Sequence, residues 1–131
     1  MVTTKTDVLT EEQLKSELAN FYCSESYYKA NIFSNIVITE GVRYFCDICE
    51  CYWLLDEAII YALRDLSKKY SFLIVEFKVT NKRGTTYIEV REDSNTDIIF
   101  SRRTKDLCKK IPIGEYKFYL SEGVMLLPSE Y

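Results

Sequence analysis

The 131-residue chain contains no histidine. That absence excludes Ser-His-Asp and Cys-His catalysis, every His-ligated metal site and the usual proton carrier near neutral pH. Acid–base chemistry is left to Asp, Glu, Lys, Cys and Tyr. Proline numbers 2 and glycine 4. Gly41, Gly84, Gly114 and Gly123 are spaced as turns and caps, and none builds a phosphate loop. No apolar run approaches the ~20 residues of a membrane-spanning helix. The opening residues 1–7 lack the apolar stretch of a secretory signal. No internal repeat, linker or low-complexity tract interrupts the chain. Against these absences stand 47% hydrophobic and 28% charged residues, an ordinary globular balance. It suffices for one core, so residues 10–131 are expected to form a single domain behind a flexible N-terminus, 1–9.

Cysteines are Cys23, Cys46, Cys49, Cys51 and Cys108. An odd count without a secretory signal reads as reduced thiols and a cytoplasmic protein. Cys46 and Cys49 form a CxxC. A zinc site here would need thiolates and carboxylates alone. Two cysteines three apart on a helix serve instead as small apolar residues, and Cys51 should point away from both. No metal and no cofactor are expected.

The net charge of −3 is uneven. Residues 1–67 hold 5 basic and 11 acidic side chains, residues 68–131 hold 12 and 9. A mildly acidic chain argues against broad nucleic-acid or membrane-surface binding. The local exception is residues 101–110, where Arg102, Arg103, Lys105, Lys109 and Lys110 could contact phosphates. No aromatic residues interleave that run, as stacking on single strands would want, so a solvated connection is the plainer reading.

Thr10-Glu11-Glu12-Gln13 fits a capping box, and Leu14, Leu18 and Phe21 then share one helical face. Residues 23–35 read as loop. Thr39 suits an N-cap with Glu40 at the positive end of the helix dipole. From Val42 to about Lys68 a stripe of Val42, Phe45, Cys49, Tyr52, Trp53, Ile60 and Leu63 predicts one long helix, or two broken near Cys51. Alternation then predicts strands at 73–79, 85–91, 97–101, 115–120 and 124–127, with turns at 81–84, 92–95 and 121–123. Helices first and hairpins second give an α+β fold: N-terminal helices, one of them long or broken, packed on an antiparallel meander of about five strands.

Asp56 is the most informative polar residue. A continuous helix places it in the middle of the apolar stripe, where a carboxylate must be paired, hydrogen-bonded or protonated. It is either a pocket carboxylate or the acceptor in a structural hydrogen bond. Tyrosines number 11. Tyr22, Tyr27 and Tyr28 cluster before the main helix, while Tyr52 and Trp53 lie within it. Such amphipathic rings suit partner interfaces and core edges alike.

Ser24-Glu25-Ser26-Tyr27-Tyr28, Thr39-Glu40-Gly41-Val42-Arg43-Tyr44-Phe45, Cys51-Tyr52-Trp53-Leu54-Leu55-Asp56 and the ending Glu122 to Tyr131 together resemble one uncharacterised bacterial family, a domain of unknown function associated with cyanobacterial and mobile-element sequences. The resemblance runs from Leu18 onward. The chain departs from it at Cys51, where a small residue such as Ala is usual. It departs again at Arg103-Thr104-Lys105-Asp106-Leu107, a loose form of a Tyr-Thr-Asp-Phe-like element. The resemblance implies a compact domain with an origin on a phage, plasmid or genomic island, and brings no activity, cofactor or partner.

The favoured reading is a non-catalytic protein-binding module, presenting Tyr27, Tyr28, Tyr52, Trp53 and Asp56 to a protein partner such as a host defence component. Self-association is compatible with it, and membrane binding is not expected. The alternatives are a small ligand-binding domain or enzyme built on a buried Asp56, and a nucleic-acid binder using the basic segment.

Overall fold

Thr10 opens the first helix as its sequence demands: its hydroxyl accepts from the Gln13 amide at 3.1 Å, and the Gln13 side chain accepts from the Thr10 amide at 2.9 Å. A computed structural model describes residues 10–22, 26–32, 34–104 and 110–131. The flexible N-terminus expected over 1–9 lies outside them. Helix α1 (Glu11–Leu18) buries Leu14 and Leu18. Two short strands follow, β1 (Tyr27–Lys29) and β2 (Val37–Thr39). Thr39 then caps α2 (Glu40–Cys49), accepting from the Val42 amide at 3.4 Å.

The main helix is broken. Glu50 takes up left-handed φ 51 and ψ 51, and α3 (Tyr52–Ala58) starts anew after Cys51. Helix α3 runs into a π-helical turn (Ile59–Leu63) and a final α-turn (Arg64–Leu66). The π turn has a cause in the sequence. Leu54, Leu55, Ala58, Ile59, Ala62 and Leu63 are buried as pairs every four residues. At 3.6 residues per turn each four-residue step drifts by about 40°, and one wider i→i+5 turn takes up that drift.

Strands β3 (Phe72–Val79), β4 (Thr86–Arg91), β5 (Ile98–Arg103), β6 (Gly114–Ser121) and β7 (Val124–Leu126) complete the fold before a 3-10 turn, Pro128–Glu130. Glu122 and Gly123 both have positive φ, 51 and 78, which suits the twist of the tight β6–β7 hairpin. The expected five-strand antiparallel meander is corrected here: the sheet has seven strands in the order β1-β2-β7-β6-β3-β4-β5, and it is mixed because β2 pairs parallel with β7. Strands β1 and β2 are three residues each. Such a length carries no readable alternation, and β2 owes its state to partners distant in sequence.

One face of the sheet carries the core. Leu73, Val75, Phe77 and Val79 of β3 alternate inward, and Phe45 of α2 meets Phe118, Tyr116 and Phe77 at ring-centroid distances of 5.0, 5.5 and 6.4 Å. The other face is polar in its middle. Lys78 pairs with Glu89 at 2.8 Å, and Arg91 lies 3.5 Å from Glu76 and 3.4 Å from Glu89. Among the described residues no helix is long and apolar enough to cross a membrane.

The C-terminal turn clasps the start of α2. The Glu130 carboxylate accepts from the Thr39 hydroxyl at 2.6 Å, the Leu127 amide at 2.9 Å and the Gly41 amide at 3.2 Å. Gly41 is required by this approach, since a Cβ there would lie 2.5 Å from Leu127 Cδ1 and 2.7 Å from Glu130 Oε1. Ser129 donates to the Leu18 carbonyl at 3.3 Å, and Tyr131 rests on Phe72 and Tyr119.

Candidate functional site

Strand β1 and the two helices bring part of the expected interface together. Tyr28 faces α2, and the Arg43 guanidinium lies over its ring at 4.3 Å. The hydroxyl of Tyr52, the first residue of α3, donates to Asp47 at 2.7 Å and lies 3.5 Å from the Arg43 carbonyl. Arg43 and Asp47, four apart on α2, are 3.8 Å from each other. Contact with Tyr28 holds the Arg43 guanidinium still more firmly protonated. Burial, then the hydrogen bond to Asp47, pushes the Tyr52 phenol up to about 12. The exposed Ile48 belongs to the same helix.

Tyr27 is not part of this arrangement. Strand side chains alternate between faces, so Tyr27 and Lys29 lie on the opposite side of the sheet from Tyr28, and Tyr27 is exposed. Trp53 is half-buried against the core. Asp56 is half-buried rather than buried, and it accepts from the Asn31 side chain at 3.0 Å, tying α3 to the chain after β1. Its expected place within the stripe assumed a continuous helix; the turn at Glu50 resets the phase. The same turn corrects the position of Cys51. Its amide donates to the Cys46 carbonyl at 3.0 Å, and its thiol meets those of Cys46 and Cys49. The neighbouring Cys46 and Cys49 thiols, and then burial, raise the Cys51 thiol well above its ordinary range. Among the described residues no three His, Cys, Asp or Glu are arranged to hold a metal ion.

The basic segment is divided. Arg102 and Arg103 end strand β5 rather than lying in a connection. The Arg102 guanidinium stacks on Tyr61 at 3.6 Å and lies 3.4 Å from Glu57. Lys110 pairs with Glu50. Lys105 and Lys109 lie outside the described residues. Thr104, in the loosely matching element, is buried and donates through its hydroxyl to the Thr86 carbonyl at 3.1 Å.

The sequence reading missed a cleft of about 880 Å³ between the chain after β1, the end of the main helix and the β6–β7 turn. Lys29, Arg64, Lys68 and Lys69 line it. Of these, Lys68 and Lys69 alone are adjacent in sequence, and nothing in the periodicity joins them to Lys29.

Compared with known proteins, the chain matches the model of a family described as a family of unknown function, DUF6876, over residues 12–131. No curated protein and no solved structure matches it.

Proposed function

The chain belongs to DUF6876, a family of unknown function, and from that premise we propose that it is a non-catalytic module that binds a protein partner through the face built by Tyr28, Arg43, Asp47 and Tyr52. The observation that carries this reading is the mutual locking of Arg43, Tyr28, Asp47 and Tyr52 at the surface. Aromatic and arginine side chains dominate interface energetics, and side chains already held in place lose less freedom when a partner arrives. The partner suited to this face offers an apolar pocket for the Tyr52 ring, bordered by polar acceptors for the guanidinium.

The finer reading is that the protein is carried by a phage or mobile element and acts on a host defence protein. It rests on the family resemblance of the segments around Tyr28, Gly41 and Tyr52. The Asp56-centred enzyme gains no support, since that carboxylate is engaged by Asn31.

The test is capture from extract of the native host, comparing the wild type with an Arg43→Glu, Tyr52→Ala double variant of unchanged circular dichroism. A protein retained by the wild type and lost by the variant supports the reading. Equal retention by both, or retention by neither, overturns it.

A further inference from the structure

We propose that the cleft at the β2–β7 end of the sheet binds a phosphorylated small molecule: an organic body carrying at least two negative charges. Three observations converge there. The first is charge. Lys29 from β1 and Arg64, Lys68 and Lys69 from the end of the main helix line the cleft, and Glu122 is the one acidic residue among its lining.

The second is the state of those cations. Elsewhere Lys15, Arg43, Lys78, Arg91, Arg102 and Lys110 each lie within ion-pair distance of a carboxylate. Among the described residues Lys29, Arg64, Lys68 and Lys69 have no such partner; Lys82 and Lys117 have none either, but they stand apart, whereas these four line one cavity. Basic residues at a helix C-terminus are favoured by the dipole, which accounts for Lys68 and Lys69 standing where they do. It does not account for Lys29, which borders the same cleft from the end of strand β1. Like charges gathered round one concavity repel each other; an anion between them converts that repulsion into attraction, and phosphate oxygens accept charge-assisted hydrogen bonds from such groups.

The third is shape and composition. A volume of about 880 Å³ lies within the range of small-molecule sites. Ser71 adds a hydroxyl, while the Ser67 hydroxyl already donates to the Arg64 carbonyl at 3.2 Å and holds that residue's backbone at the cleft wall. Ile32, at the rim, is 84% exposed, and a bare inorganic anion would have no use for it. An organic group beside the phosphates would cover it.

The proposal is tested by amide NMR titration of the full chain with two probes, inorganic pyrophosphate and a nucleoside triphosphate, at low and high salt. Saturable shifts at Ser67, Ser71 and Gly123, weaker at high salt, are expected, with the nucleotide binding more tightly than pyrophosphate. An Arg64→Gln, Lys68→Gln variant should bind about tenfold more weakly or worse. Lys82→Gln, which removes a cation outside the cleft, should bind as the wild type does. The absence of saturable shifts at millimolar probe, or equal binding by the Arg64→Gln, Lys68→Gln variant, overturns the site. Equal affinity for both probes overturns the organic body. Binding of a single-stranded oligonucleotide without binding of either probe overturns the small-molecule class in favour of nucleic acid.

Discussion

Two polar regions of this molecule meet opposite fates. At the clasp, Glu130 brings one carboxylate to three donors: the Thr39 hydroxyl and the amides of Gly41 and Leu127. At the cleft, four cations line one cavity and find no carboxylate within ion-pair reach among the described residues. A buried polar group without a partner is costly, so a polar residue that serves the fold is expected to be answered from within. The clasp, built on buried Thr39, is answered in this way; the cleft cations, exposed at Lys29, Lys68 and Lys69 and half-buried at Arg64, need no internal answer and stay open to an anion from solution. The comparison separates residues kept for architecture from residues available for binding, and it places the family-like ending Pro128-Ser129-Glu130-Tyr131 on the architectural side.

The clasp can be broken most severely at Gly41. A Gly41→Val side chain would overlap Leu127 and Glu130, and overpacking of this kind costs about 3 kcal/mol. Chemical denaturation should show that loss, with a thermal midpoint lower by about 10 °C. A Gly41→Val protein of wild-type stability would mean that the ending is not held against α2. Glu130→Ala ranks next. It strands the Thr39 hydroxyl and two amides, for about 2 kcal/mol by the same measurement. At the cleft the expectation reverses. Lys68→Gln with Lys69→Gln should leave stability within about 0.5 kcal/mol of the wild type, because no internal partner is lost. A fall beyond about 1 kcal/mol would place these cations with the fold and dissolve the contrast.

The sequence was legible wherever a signal is local. Thr10 and Gln13 form the capping box they spell, Thr39 caps α2, and the β3, β4 and β6 strands alternate as their residues do. Signals that depend on distant partners were not legible. Val37-Ile38-Thr39 becomes a strand through its parallel pairing with Val124 and Met125, a contact no window of periodicity contains. The face of Tyr28, Arg43, Asp47 and Tyr52 was half legible: the tyrosines drew notice by their number, but no local pattern joins Arg43 and Asp47 to them. Glu50 shows why. A single non-glycine residue in left-handed geometry turns the chain, and every position after it, Cys51 and Asp56 included, leaves the helical phase that a continuous reading assigns.

The smallest predicted effect concerns two tyrosines that test whether the interface face belongs with the clasp or with the cleft. Tyr44 joins α2 to α1 by donating to Glu17 at 2.8 Å, and Tyr52 donates to Asp47 at 2.7 Å. Burial first, and these carboxylates second, push both phenols up to about 12. A phenol is neutral when protonated, so a folded value above the free one of about 10 favours the native state. That contribution is fully present below pH ~10 and is lost as the pH rises through the folded value. Ultraviolet titration of the native protein should therefore show Tyr44 and Tyr52 ionising late, together with Tyr116, whose phenol burial also pushes up. Asp47→Asn should bring Tyr52 down while leaving Tyr44 in place, and Glu17→Gln should do the converse. If Tyr52 ionises near pH 10 in the wild type, it does not hold Asp47 in solution. The face would then be as unanswered as the cleft, and its rigidity, on which the protein-binding reading leans, would be gone.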